Sequence, residues 1–372
     1  MSEIVVKLLQ QSDIKTFLKF AFKIYKNDPN WVPPLYIDKK KILNKKKNPF
    51  FNDAELDMFM AYRDGEPVGR IAAIKNNAHN RIHNENIGFF GFFECINDQE
   101  VANKLFDTAK EWIKQRGLDT MRGPASPSSN DEYALLIEGF DEPPKFMMPY
   151  NPTYYIDLIE NYGMKKAKDL YAYIISQTKM RQSEKLIRVQ EIARKRSGIK
   201  LRSINMKEFK KELELVKYVY NKAWAPNWGF VPMTDAEIDA LAKDLKPIVE
   251  PSLVLFGEIE GQTVGFALVM PDYNKLFRTF KGRLFPFNFI KLFTQKRTID
   301  CARVITLGMI PEFQKKGLDG VFYAEIMDRA REIGIEYGEA SWILEDNEMM
   351  KRGAEVMRGE LYKKYRVYDF KI

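Results

Sequence analysis

The chain repeats itself, and a duplication constrains a fold more than any single motif, because each copy must be a unit that packs against its own elements. FLKFAFKIYKNDPNW ends at Trp31 and ELVKYVYNKAWAPNW ends at Trp228, while FMAYRDGEPVGRIAAI and VLFGEIEGQTVGFALVM align Gly69 with Gly265. The two offsets differ by a single residue, so the order and spacing of the copies agree. At 372 residues the chain is long enough for two cores.

Each copy reads the same way. Ile14, Phe17, Leu18, Ala21, Ile24 and Tyr25 recur at the period of an amphipathic helix. A hairpin follows, turning at Asp64-Gly65 in the first copy and Glu260-Gly261 in the second. Then come a strand and a second helix, faced by Val101, Leu105, Phe106, Ala109, Trp112 and Ile113 in one copy and by Leu318, Phe322, Ile326, Ala330 and Ile333 in the other. Gly117 and Gly334 close those helices, as a left-handed C-terminal cap requires. The spacing predicts one domain over 1–177, a solvated basic linker helix over 178–198, and a second domain over 199–372 that carries an insertion at 273–299. Trp31 and Trp228, in repeated Pro-Asn-Trp contexts, are expected to anchor the two cores.

Charge and composition narrow the partners. Lys and Arg total 59 against 51 Asp and Glu, a formal net charge of +8, which admits nucleotides, nucleic acid or lipid headgroups. The basic residues are interspersed with acids, and no nucleic-acid-binding signature accompanies them, so nucleic acid is not expected. The insertion is different in kind. Between Asp272 and Asp300 it holds Lys and Arg, six phenylalanines and no acid. Either it meets a membrane surface or an amphiphilic substrate, or its phenylalanines pack on the core while its cations stay in water. Two cysteines exclude a disulfide framework and suit a reducing cytoplasm. MSEIVVKLLQQSD lacks the features of a signal peptide, and the apolar run from Ile87 to Ile96 is too short to span a bilayer and contains Glu94. A cytoplasmic protein, peripheral at the inner membrane surface, is the expectation. His79 and His83 have helical i, i+4 spacing, but AHNRIHNENIG reads as a solvated loop, and no metal is expected.

The segment RVITLGMIPEFQKKGLDGVFYAEIMDRAREIG combines a strand-like run, Pro311, and Gln314, Gly317 and Gly320 opening a helix. Such a turn aims backbone N–H groups and the positive end of a helix at an anion, and glycine lets the backbone approach a phosphate. A Q-x-x-G alone is frequent by chance; its surroundings are what make it specific. Helix, hairpin, strand, glycine turn, helix, the strand EYGEASWIL, Asn347 in EDNEMMKRGAEVMRG and the final strand YRVYDF resemble the GNAT superfamily of acyl-CoA-dependent N-acyltransferases. The resemblance carries its motifs over 199–372 and element order alone over 3–175. It implies an α/β (α+β) fold of two tandem GNAT-like domains, each a mixed, mostly antiparallel central sheet flanked by helices. It further implies that Met309, Gln314, Lys315, Lys316, Gly317, Leu318, Asp319 and Gly320 hold coenzyme A, with Asn347 beside the pantetheine arm. The activity implied is transfer of an acetyl or longer acyl group from acyl-CoA to a primary amine of a small-molecule or lipid-like acceptor, with a degenerate first domain shaping the acceptor cleft. The chain is also similar to GNAT-like bacterial ceramide synthases, which acylate a sphingoid amine.

Two residues depart from the superfamily pattern. Asp319 adjoins the glycines, and a carboxylate about 4 Å from a phosphate charge costs about 4 kcal/mol at an effective dielectric near 20. In the first turn of a helix the same acid can instead face away and favour the helix dipole. Ala354 stands where many members carry a proton-donating tyrosine. A catalytically silent ligand-binding protein is therefore the alternative. A thiol leaving group needs little acid help, whereas an ammonium of pKa about 10.4 must lose a proton at a cost of about 4.6 kcal/mol at pH 7. Candidates for that proton path and for substrate handling are Asn130 and Asp131, in GPASPSSNDEYALLIEGF, and Glu345, which with Asp346 precedes Asn347. The plainer reading makes the first two a turn and cap and the last a solvated loop acid. Tyr150, Asn151, Tyr154 and Tyr155 precede a helix, and the tyrosines read as interface aromatics. Glu94 reads as a strand-end acid satisfied by its neighbours, with a cleft base as the alternative, and Cys95 as a small buried residue.

Overall fold

The computed structural model describes residues 3–224 and 227–372. Its strands are β1 (Ile4–Leu9), β2 (Ala54–Arg63), β3 (Glu66–Asn76), β4 (Ile87–Cys95), β5 (Thr120–Gly123), β6 (Ala125–Ser126), β7 (Glu132–Tyr133), β8 (Leu135–Glu138), β9 (Lys165–Ser176), β10 (Lys200–Ser203), β11 (Val254–Ile259), β12 (Gln262–Pro271), β13 (Cys301–Met309), β14 (Tyr337–Leu344) and β15 (Glu360–Lys371). Contacts divide the chain into two compact units. The first runs to Asp169 and adds Phe277–Phe285 and Lys363–Ile372; the second comprises Leu170–Leu276 and Pro286–Tyr362.

In the first unit the strand order is β1-β2-β3-β4-β5-β15, antiparallel except for β4 beside β5, and β8 also pairs with β15. In the second it is β9-β14-β13-β12-β11-β10, again with a single parallel pair, β13 beside β14. Each is the mixed, mostly antiparallel sheet the sequence leads one to expect. The units nevertheless differ from the sequence halves: the last strand of the chain closes the first sheet, and a strand from mid-chain closes the second. Only long-range backbone pairing decides that exchange, and no local periodicity encodes it.

Local chemistry explains the shared frame. Asp64 and Gly65 have φ of 51° and 83°, and Glu260 and Gly261 have 51° and 82°. Positive φ at both central residues gives the turn twist that matches paired strands. Asp98 caps the helix Gln99–Lys114 by accepting from the amides of Glu100 and Val101, and that helix buries Val101, Leu105, Phe106, Ala109, Trp112 and Ile113. It crosses the sheet where Gly69 leaves room: a Cβ there would lie 2.7 Å from Leu105 Cδ1. The helix Leu318–Glu332 does the same over Gly265, where a Cβ would lie 3.1 Å from Phe322. Gly117 and Gly334 take φ of 71° and 83°, the left-handed conformation of a C-terminal cap.

Some expectations are corrected. Residues 77–83 form a short helix rather than a loop, because Asn76 accepts from the His79 amide and Asn84 ends the helix in the left-handed region. His79 is buried within it, and its Nε2 lies 2.8 Å from Glu85 Oε2. Burial lowers its pKa to about 4, opposed by its hydrogen bond to the Glu85 carboxylate. The basic stretch after residue 178 includes a helix, Glu184–Ser197, that buries Leu186 and Ala193 in the second unit instead of standing fully solvated. Trp31 is half-buried, stacking on Tyr25 at 4.8 Å and meeting Phe22 edge-on at 4.9 Å. Pro226, part of the Trp228 repeat context, lies outside the described residues. The insertion follows neither of its two readings throughout. Phe277 and Phe280 are buried, whereas Phe285, Phe287 and Phe293 are exposed.

Candidate active site

Two parallel strands that start paired and then diverge leave a wedge at their C-terminal ends, and in open sheets of this kind ligands bind at such places. In the second unit β13 pairs with β14 from Cys301 to Val304, and the ladder stops there. Its register against β12 slips between Leu268 and Val269, and an irregularity of that kind re-aims a strand. Beyond it, residues 304–308 are all half-buried, a long exposed edge for a central strand. The Thr306 hydroxyl is buried and has no hydrogen-bond partner among the described residues. Trp224, just after the helix Phe209–Ala223, covers Gly308, where a Cβ would sit 2.5 Å from the indole.

The strand leads into the turn singled out in the sequence. Gln314 donates from Nε2 to the Met309 carbonyl at 2.9 Å, so its amide braces the turn. Lys315 has φ 59° and is exposed with Lys316, while Gly317 has φ 74° and opens the helix Leu318–Glu332. Leu318 is buried in the core with Phe322. A Cβ on Gly317 or on Gly320 would lie 3.3 Å from Val189 Cγ1, so both glycines make room for the helix Glu184–Ser197. Burial raises the Asp319 pKa, an effect that the nearby amides of Gly320 and of Asp319 itself oppose. The protein thus places its own carboxylate beside amides of the kind that would greet a phosphate.

On the far strand, Glu345 follows β14, and its carbonyl accepts from Lys351 Nζ at 2.8 Å. Asn347 is the N-cap of the helix Glu348–Val356, accepting from the Met350 amide. Ala354 is fully buried and packs with Tyr173, Ile175, Ile343 and Tyr323. Tyr323 comes from the other helix; its hydroxyl is buried without a hydrogen-bond partner among the described residues and faces Gly353. Burial and the charge of Asp319 both push its phenol pKa up. An aromatic hydroxyl therefore does stand in this region, from a position that superfamily spacing does not point to.

In the first unit the corresponding strand end is closed. Cys95 occupies the register position opposite Gly69 that Met309 occupies opposite Gly265. Its amide donates to the Tyr155 hydroxyl at 2.8 Å, and its carbonyl accepts from the Tyr154 hydroxyl at 2.7 Å. The Cys95 thiol is buried, which raises its pKa and leaves it a poor nucleophile. Glu94 is satisfied by its neighbours: Tyr155 donates to Oε2 at 2.8 Å, Arg70 lies 3.4 Å from Oε1, and the Tyr25 hydroxyl also bonds to it. Burial raises the Glu94 pKa, and Arg70 opposes that shift. Asn130 and Asp131 sit in the link between β6 and β7, where Ser128 Oγ donates to Asp131 and accepts from the Asn130 amide. These two belong to the first unit and Glu345 to the second.

A second buried ionic cluster gave no sequence signal. Arg303 donates to Ser341 Oγ at 2.9 Å and lies 3.5 Å from Glu339, which also accepts from Ser341 and Tyr362. Its members come from three strands distant in sequence. Among the described residues no cluster of His, Cys, Asp and Glu could hold a metal ion, and no helix is long and apolar enough to cross a membrane.

No family model matches the chain. It is similar along nearly its whole length to a bacterial ceramide synthase of Caulobacter vibrioides, with 34% identity over 98% of this chain and 96% of the relative. It is 33% identical to protein YghO of Escherichia coli, over 99% of this chain and 95% of that one. Among solved structures, a tandem GNAT protein from the clavulanic acid biosynthesis pathway superposes with a TM-score of 0.58 at 11% identity, covering 99% of this chain and 98% of the other. That last likeness concerns the fold.

Proposed function

The chain belongs to the family of GNAT-like proteins that includes bacterial ceramide synthase, and from that membership we propose that it transfers an acyl group from acyl-CoA to the primary amine of a lipid-like acceptor. Acyl transfer is what fold and relatives have in common; the coenzyme, the acceptor and the residues below are our reading.

The observation that carries it is the edge of β13 beyond the end of its β14 ladder. Residues 304–308 are half-buried after the β14 ladder ends, and they lead directly into the turn that opens the helix at Gly317. An extended backbone edge can hydrogen-bond the amides of a pantetheine arm much as a strand would. Lys315 and Lys316 supply positive charge at the turn. A pyrophosphate there displaces the Asp319 carboxylate from the start of the helix.

In the reaction the amine nitrogen attacks the thioester carbonyl carbon, the carbon–sulfur bond breaks, and the sulfur leaves as thiolate. With a thiol pKa of about 8.5, that departure needs little assistance. The ammonium proton must go elsewhere, and Glu345 is our choice for the base. It stands at the C-terminal end of β14, the same end of the parallel pair as Met309. Asn130 and Asp131 are assigned to acceptor handling. The Tyr323 hydroxyl is the protonated group on the coenzyme helix.

Calorimetric titration with acetyl-CoA and palmitoyl-CoA, followed by a thiol-release assay with a sphingoid amine, tests this reading. Saturable binding and amine-dependent thiol release are expected, and no binding at millimolar coenzyme sinks the proposal. The Asp319 carboxylate beside its own helix amides favours one other reading, a protein that binds without turnover. Binding without thiol release across an amine panel would select it.

A further inference from the structure

The segment from Phe287 to Arg297 divides its apolar residues by direction. In the helix Asn288–Thr294, Leu292 turns inward and is 8% exposed. Phe289, Ile290 and Phe293 are 37%, 45% and 67% exposed, and Phe287, at the N-cap, is 74% exposed. Phe287 and Phe293 stand largely in water, and Ile290 and Phe289 partly so, on a segment of a few turns. Isolated exposed apolar residues need no explanation, whereas a cluster marks a surface that something else covers.

The charges around them say what kind of partner fits. From residue 286 to 299 the chain has Lys291, Lys296 and Arg297 and no acid. Lys296 is held by Glu250 at 2.5 Å, and Arg297 is exposed. We propose that this segment docks on an anionic lipid bilayer, with the rings of Phe287, Phe289 and Phe293 entering the boundary between headgroups and acyl chains and Lys291 and Arg297 meeting lipid phosphates. Rings that project from a short helix need a partner that deforms around each of them, as the bilayer interface does, and the cationic rim adds attraction to anionic lipid. A protein partner would need a preformed pocket for each ring. The inference concerns where the protein works and depends on the reaction above only in giving the seating a purpose, access to an amine that resides in the membrane.

Co-sedimentation of the full chain with phosphatidylcholine vesicles, with and without about a third of phosphatidylglycerol, tests it. Binding to the anionic vesicles is expected. The double variant Phe287→Ser/Phe293→Ser weakens it about a hundredfold, since two aromatic burials are lost. Lys291→Glu/Arg297→Glu removes the preference for anionic lipid while leaving a weaker apolar contribution. Because the replaced rings are exposed, the melting temperature of the double serine variant stays within a degree or two of the parent. Absence of vesicle binding by the parent, or equal binding by the serine variant, overturns the proposal. So does a parent dimer that the serine variant converts to monomer without changing vesicle binding, which would assign the face to a second copy. Thiol release with a detergent-dispersed amine keeps the two proposals apart. If the parent lacks it and still binds anionic vesicles, the membrane inference stands and the reaction does not.

Discussion

Cys95 and Met309 hold the same place in two versions of one frame, each opposite a glycine on the neighbouring strand and each at the end of the strand that diverges. At Cys95 the backbone amide and carbonyl are both taken by tyrosine hydroxyls, and the helix that follows is capped by Asp98, itself 2.7 Å from Arg63. At Met309 the carbonyl is taken by Gln314, the strand before it stays half-exposed, and the next helix opens on a left-handed glycine without a side-chain cap. A frame that binds a ligand along a strand edge needs that edge left unpaired, and unpaired backbone is costly to bury. The first unit meets that demand with its own side chains, whereas in the second the edge is half-buried and the Thr306 hydroxyl has no hydrogen-bond partner among the described residues.

The largest effect that could break this division is Glu94→Ala. It leaves Arg70 buried without its carboxylate, which costs about 3–5 kcal/mol. Denaturant unfolding should show the loss, while the fraction still folded keeps its affinity for acyl-CoA; a fall in that affinity would give the first unit a direct part in coenzyme binding.

Next comes pH. Both histidines lie in the first unit. The folded pKa of His79, about 4, is below the ordinary value of 6.5. Between those values the unfolded chain binds a proton that the folded chain does not, so stability falls as pH drops from 6.5 to 4, by about 3 kcal/mol in all. Unfolding curves across that window should show the slope, and His79→Asn should flatten it.

Gly317→Val tests the second unit from the opposite side. A β-branched residue at φ 74°, beside Val189, should displace the turn. Calorimetry should record about a hundredfold weaker coenzyme binding, equivalent to about 2.7 kcal/mol. Unchanged affinity would move the coenzyme site away from the turn. The smallest expected effect is Asp319→Asn. Removing the charge that competes for the helix amides should tighten coenzyme binding about tenfold near pH 7. A weaker complex instead would mean that the carboxylate takes part in holding the ligand.

What was legible in the sequence was local. The hairpins at Asp64-Gly65 and Glu260-Gly261, the buried face from Val101 to Ile113 and the glycine that opens the helix at Leu318 each depend on residues within a few turns of one another. Glu94 meets Tyr25, Arg70 and Tyr155, and Glu339 meets Arg303 and Tyr362, so neither cluster leaves a trace in any window of the sequence. Asn76 and Asn84 misled in a more instructive way. Asparagine is favoured in turns because its side chain bonds to nearby backbone, and the same property makes it a helix cap at either end. Composition therefore read the His79 segment as loop when its asparagines were closing a helix. The insertion was ambiguous for another reason: Phe277 and Phe287 are identical as letters, and only packing separates the buried one from the exposed one.

The exchange of closing strands has a consequence for how the chain comes into being. A ribosome releases residues in order, and the first unit, though nearly all of its sequence emerges early, lacks its closing strand until residues 363–372 appear, after the whole second unit. Until then β5 has an open edge, while the second unit already holds β9, made long before it. The half that is translated first is therefore completed only after the second, and a truncation that removes residues 363–372 injures the N-terminal unit. Neither half of the coding sequence specifies a complete unit alone.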